Sequence, residues 1–218
     1  MDQLSFKFPF SKKYYEQDFY VSNNNFSAYK LVESWPNWPG KWLNIFGSKG
    51  SGKTHLAKIL EKKIDKIKLI EANKINHEII QSLNNLDCLI IDDYNSNIEE
   101  KLLYSILNQS KQLENYILIN SVTTMKKLKI NLRDLQSRLS SFLFIGIELP
   151  TDDLLKVIIS KTFSDKQISI NPKVSDFIIN NVERSYEKMF KFLKDVDDLS
   201  LSTGKSININ LIKKVLNQ

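Results

Sequence analysis

Eight consecutive residues have the types and spacing to hold a phosphate. Residues 47–54 read GSKGSGKT, the pattern G-x-x-x-x-G-K-T. Gly47, Gly50 and Gly52, with Ser51 among them, let the backbone curl until successive N–H groups point at phosphate oxygens. Lys53 has the reach for the β- and γ-phosphates, and the Thr54 hydroxyl is a ligand type for Mg²⁺. A helix starting here adds its positive N-terminal end to the anion site. Three of the chain's six glycines fall in this loop, which argues against a chance turn.

Other residues suit the same chemistry. Residues 86–92 read LDCLIID, an apolar run closed by Asp92 with Asp93 behind it. A strand-end Asp can order the water around Mg²⁺, and the acid after it can orient an attacking water. Two exposed turn carboxylates are the plainer reading. Asn120 and Ser121 follow the apolar run 116–119; a polar side chain there suits sensing of a γ-phosphate, or ordinary turn chemistry. Arg133 and Arg138 lie on a helical pattern over residues 131–141.

The elements around these residues have a regular order. Residues 41–46 (KWLNIF) suit a buried strand, and Leu56, Ile59 and Leu60 give the following segment helical spacing. Further strands are expected at 67–71, 86–92, 116–119 and 143–149, with helices at 75–83, 98–111 and 131–141. Asn23 to Asn25 offer caps for an earlier helix carrying Phe26, Tyr29, Leu31 and Val32. Strands alternating with helices predict an α/β fold, a five-stranded parallel sheet covered on both faces. From Pro150 onward only helical patterns occur, capped by Thr151 and Asn171, with a last helix opening at Asn208. The expected organisation is a flexible tail over 1–17, an α/β domain over 18–149 and a small all-helical lid over 150–218.

Bulk properties narrow the class. The 218 residues are 42% hydrophobic, enough for a proper core. No apolar run is long enough to span a bilayer and no signal peptide is evident, which predicts a cytoplasmic protein without a membrane partner. The single cysteine, Cys88, lies in an apolar strand and reads as core. The net charge of +6 fits a solvated lysine-rich surface or a nucleic-acid partner. In the tail, residues 3–8 (QLSFKF) place Gln3 before the anchors Leu4, Phe6 and Phe8, as a peptide docking in a partner's groove would. A frayed end or plain strand is the alternative.

Four segments together carry a family resemblance: GSKGSGKTHLA (47–57), LIIDD (89–93), LQSRL (135–139) and ELP (148–150). With a helical lid behind them, the chain resembles the AAA+ ATPases, and among them the bacterial replication initiator DnaA and its short homologue family, Hda. DFYVSNNN and WPNWPG further resemble the alphaproteobacterial form. The resemblance implies ADP or ATP with Mg²⁺ as cofactor. It implies that Gly47, Gly50, Ser51, Gly52, Lys53 and Thr54 hold the phosphates, that Thr54 and Asp92 serve Mg²⁺, and that Asp93 activates water. Val21 and Asn25 would lie by the adenine, Asn120 by the γ-phosphate, and Arg184 of the lid would sense the nucleotide. Arg138 would act as an arginine finger on a neighbouring subunit, in DnaA or in a homo-oligomer. For both arginines a surface ion pair is the alternative.

The resemblance further implies that Gln3, Leu4, Phe6 and Phe8 dock on the DNA polymerase sliding clamp, with DNA reached indirectly through it. The implied role is negative regulation of replication initiation, by stimulating hydrolysis of the initiator's ATP. Two departures weaken parts of this. Ser22 stands where the family has Gly, and Val122 stands where the initiator has an acidic sensor. A truncated initiator-like ATPase acting on DNA and a stand-alone nucleotide kinase are the competing readings.

Overall fold

The computed structural model describes residues 14–217. They form two compact units, Tyr14–Glu148 and the helical residues from Leu149 onward.

The first unit is a five-stranded parallel sheet in the order β2-β3-β4-β1-β5. Its strands are β1 (Trp42–Phe46), β2 (Ile67–Glu71), β3 (Cys88–Tyr94), β4 (Tyr116–Ser121) and β5 (Leu143–Gly146). The helices are α1 (Phe26–Glu33), α2 (Lys53–Glu61), α3 (Glu78–Ser82), α4 (Glu100–Gln112) and α5 (Arg133–Leu139). Strand alternation sorts the side chains between two cores. Leu43, Ile45, Cys88, Ile90 and Leu118 join α1 and α2 through Val32, Leu56, Ile59 and Leu60. Trp42, Leu89, Ile91, Ile117 and Ile119 join α3, α4 and α5 through Ile79, Leu103, Ile106, Leu107, Leu135 and Leu139. Burial on both faces is why these strands read as apolar runs.

The crossover from β1 leads to β2 on one side, and that from β4 leads to β5 on the other. The order therefore reverses at β1 and β4, and the crevice beyond their carboxyl ends is where such sheets bind ligands. Gly47 and Asn120 lie at those ends.

Several elements differ from the sequence expectation. The helix expected over 75–83 is shorter, covering Glu78–Ser82. Asn76 Oδ1 accepts from Glu78 N at 3.0 Å and starts α3 late, with single 3-10 turns on either side. β5 ends at Gly146 rather than 149, and α5 covers less than 131–141. β3 runs on to Tyr94, across a register shift against β4. Residues 14–17, expected in the tail, belong to the α/β unit: the Tyr15 carbonyl meets His55 Nε2 at 2.7 Å and Tyr14 packs edge-on against the same ring.

The helical unit contains α6 (Asp152–Ser164), α7 (Pro172–Asn181), α8 (Tyr186–Thr203) and α9 (Ile209–Leu216). Thr151, Asn171, Ser185 and Asn208 each accept a backbone N–H at a helix start. Its core is its own, built from Leu155, Ile159, Phe163, Ile178, Met189, Leu193, Val196 and Ile212. No helix among the described residues is long and apolar enough to cross a membrane.

Candidate functional site

The loop leaving β1 is fixed by glycine geometry. Gly47 N donates to the Ser121 carbonyl at 3.2 Å, and a Cβ there would lie 2.9 Å from the Ile147 carbonyl oxygen. Gly50 and Gly52 have φ of 82° and 98°, the left-handed region that glycine enters without penalty. Gly52 starts α2, so the loop's last turn is also the amino end of that helix.

Lys53 is buried although charged, being 8% exposed. Its Nζ donates to the carbonyls of Gly47 at 2.7 Å and Ser48 at 3.0 Å, so its ammonium lies inside the loop. Burial pulls its pKa below the usual lysine range, and the charges of Asp92 and Asp93 oppose that shift. Thr54 Oγ1 donates to Asp92 Oδ2 at 2.8 Å, and Asn120 Nδ2 donates to Asp92 Oδ1 at 2.9 Å and to the Lys53 carbonyl at 3.1 Å. The three side chains expected from separate segments thus form one network.

Strand parity explains which polar residues meet. Asp92 and Asn120 continue the Ile90 and Leu118 rows, on the α2 face. Ser121 continues the Ile119 row on the other face, where its hydroxyl accepts from Asn44 Nδ2 at 2.9 Å and donates to the Thr123 carbonyl at 2.7 Å. Of the two strand-end candidates, Asn120 is the one brought to the loop.

Asn44 is the residue that sequence reading missed. Wholly buried in β1, it also donates to the Ile119 carbonyl at 2.8 Å and accepts from Met125 N at 3.2 Å. It fixes the end of β4, whose last carbonyl receives Gly47 N. Its signal was a lone amide inside an otherwise apolar strand.

Asp93 sits in the β3 register shift with φ of 57° and is exposed. Such a bulge re-aims a side chain. Val21 is half-buried. Asn25, expected beside adenine, has its amide committed locally: Oδ1 accepts from Ser22 N at 2.9 Å and Nδ2 donates to the Tyr20 carbonyl at 2.9 Å. Nor does that side chain cap α1.

The two arginines have different surroundings. Arg138 is half-buried on α5, and its Nη2 donates to Asn108 Oδ1 of α4 at 2.8 Å. Arg184, in the helical unit, pairs with Asp152 at 3.1 Å, both side chains being largely exposed. The alternative reading of Arg184 as a surface ion pair describes this contact. Gln3, Leu4, Phe6 and Phe8 lie outside the described residues. Cys88 is buried, and burial pushes its thiol up, as expected of a core position.

The residues fit a phosphate chain with Mg²⁺. Ser51 Oγ and Asn120 Oδ1 are buried and have no hydrogen-bond partner within the protein. The glycine geometry leaves backbone free to approach an anion, and Thr54 and Asp92 present adjacent hard oxygens of the kind Mg²⁺ takes alongside phosphate and water.

Fold and site together define a phosphate-loop α/β protein of the AAA+ class with a separate helical unit. Residues 152–216 match the family model described as "Hda, lid domain", and residues 43–141 match one described as "RNA helicase". Domain III of the Thermotoga maritima replication initiation protein DnaA superposes with a TM-score of 0.78 at 21% identity, covering 96% of this chain and 98% of that one. A replication initiator DnaA bound to AMPPCP and single-stranded DNA gives 0.69 at 23%, covering 86% and 65%. Among curated relatives, an uncharacterized Haemophilus influenzae protein is 23% identical, with 92% of both chains covered. The DnaA of Buchnera aphidicola is 24% identical over 95% of this chain and 53% of its own, so this chain spans about half the length of that initiator. In its lid and in its fold the chain is similar to the Hda and DnaA proteins of the AAA+ class.

Proposed function

We propose that this chain is a nucleotide-held regulator that supplies Arg138 to the ATP of a replication initiator. ADP or ATP with Mg²⁺ brings the charge for which the loop is arranged. Lys53 would turn from the loop carbonyls to the phosphates, Thr54 and Asp92 would hold the metal and its water, and Ser51 would satisfy its buried hydroxyl. Asn120 would lie beside the last phosphate, and Asp93 would orient water. The AMPPCP-bound DnaA neighbours support an adenine nucleotide here. Val122, exposed and uncharged, adds no acidic group beside Asn120, which favours holding nucleotide over rapid turnover.

The observation carrying the reading is the state of Arg138. No carboxylate among the described residues pairs with it, so its charge is available to a partner. A guanidinium brought to the phosphoryl-transfer transition state stabilises charge as it spreads over the phosphate oxygens. Gln3, Leu4, Phe6 and Phe8 would dock on the sliding clamp and so bring the chain to DNA, where it meets ATP-bound DnaA. The initiator is left with ADP, and re-initiation is blocked.

The test is hydrolysis of DnaA-bound ATP on clamp-loaded DNA, with wild-type chain and with Arg138→Ala. Stimulation by wild type and background hydrolysis with the variant are expected. A variant that stimulates like wild type overturns the reading.

A further inference from the structure

Arg138 is held by a group that does not neutralise it. α4 braces α5 at two levels. At the first, the Glu100 carboxylate accepts from Asn131 N at 3.0 Å and Leu132 N at 2.8 Å, covering backbone donors at the start of α5. Eight residues further along α4, just over two turns, Asn108 Oδ1 accepts from Arg138 Nη2 at 2.8 Å. Between the braces, Leu103, Ile106 and Leu107 of α4 share a core with Leu135 and Leu139 of α5. Rotation or sliding of α5 along α4 would break one brace or the other.

We propose that Asn108 is the positioning residue for Arg138, aiming its guanidinium while leaving its charge whole. This rests on the reading of Arg138 as the group that acts on a partner's ATP. A guanidinium has five N–H donors, and the bond to Asn108 uses one of them. The others stay free for phosphate oxygens. An aspartate at 108 would aim the side chain as well, through a stronger charge-assisted bond, but would cancel much of the positive charge that a transition state needs. An alanine would leave the charge whole and the direction open. The long side chain would then give up its rotamer freedom only on reaching the partner. The amide is the choice that gives both. Arg184 shows the contrast, because Asp152 holds it with a carboxylate.

The proposal predicts a particular kinetic pattern. Arg138 should act mainly after the partner has docked, so loss of its aim lowers the maximal rate rather than the concentration needed for half-saturation. A hydrogen bond to a charged group is strong enough that its loss should lower maximal stimulation by about tenfold. Stability should not follow, because Asn108 is half-buried on a helix where alanine is the better former.

The experiment uses the full chain as wild type, Asn108→Ala, Asn108→Asp and Arg138→Ala. Hydrolysis of DnaA-bound ATP on clamp-loaded DNA is measured over a range of chain concentrations, with melting temperatures alongside. The expected result for Asn108→Ala and Asn108→Asp is a lowered maximal stimulation at unchanged half-saturation and undiminished melting temperature. Full stimulation by Asn108→Ala, where Arg138→Ala has none, overturns the positioning role and leaves the functional reading standing. Full stimulation by Asn108→Asp overturns the requirement for an uncancelled charge. A melting temperature that falls in step with activity means that Asn108 acts only through the stability of the unit and overturns the proposal. Absence of stimulation by wild type, or its survival in Arg138→Ala, removes the functional reading and this inference together.

Discussion

Gly52→Ala should destabilise the α/β unit by about 2–3 kcal/mol, and the structure divides that cost into two parts. The first is backbone. Gly52 has φ of 98°, and an L-residue in left-handed backbone pays roughly 1–2 kcal/mol. The second part is steric. An added Cβ would lie 2.9 Å from Phe19 Cε2, far inside the roughly 3.5–4.0 Å at which carbon atoms rest. Phe19 cannot yield freely, because its ring stacks on Tyr29 with centroids 5.8 Å apart and meets His55 edge-on at 5.3 Å. Aromatic pairs of this kind contribute about 0.5–1.5 kcal/mol beyond their buried area, so displacing the ring forfeits on the order of 1 kcal/mol. For a domain of this size the melting temperature should fall by roughly 6–15 °C, taking about 3–5 °C per kcal/mol. Thermal and urea unfolding of wild type, Gly52→Ala, Phe19→Leu and the double variant separates the two parts. With the ring gone, Gly52→Ala should keep only its backbone cost, a coupling of about 1 kcal/mol against a usual scatter of about 0.3–0.5 for independent sites. Additive losses, or a Gly52→Ala protein as stable as wild type, would refute the reasoning.

Two further predictions concern residues that hold the frame. Asn44→Ala should lower stability by about 2–4 kcal/mol, because Met125 N–H and the Ile119 carbonyl lose a buried partner; an unchanged urea midpoint would show that both find others. Backbone N–H groups of Asn131 and then Leu132 hold the Glu100 carboxyl below its ordinary value of 4.5. A lowered folded pKa contributes stability that is present above the unfolded value and lost as pH falls through the folded one. Melting temperatures of wild type and Glu100→Gln should therefore differ at neutral pH and converge in acid; a constant difference across that range counts against the cap.

What was legible in the sequence is what depends on neighbours along the chain. The loop announced itself because glycines, lysine and threonine must be contiguous, with a strand before and a helix after. Asp92 and Asn120 were legible as polar ends of apolar strands. Their meeting was not, since it depends on sheet order and on both lying on the α2 face. The same parity removes Ser121, a distinction that residue type alone cannot make. Asn44 was hidden for a similar reason. Its partners lie in β4 and beyond, 75 or more residues away, and inside KWLNIF it passes for a tolerated polar residue. The commitment of the Asn25 amide to a local turn was likewise not legible from residue type. Asn108 carried no signal, being one polar residue beside the apolar face of an amphipathic helix.

The site's groups are nearly all paired before any phosphate arrives. Lys53 bonds two loop carbonyls, and Thr54 and Asn120 divide Asp92 between them. A phosphate chain must therefore displace internal bonds, and its advantage is that it replaces neutral carbonyls around a buried ammonium with charged oxygens. Burial has already made that ammonium costly to keep charged, so an anion recovers energy the folded loop is forgoing. Arg138 stands apart from this arrangement: it is aimed by an amide and matched by no carboxylate among the described residues. An uncancelled arginine on a helix outside that network is what the proposed action on a second protein's nucleotide requires.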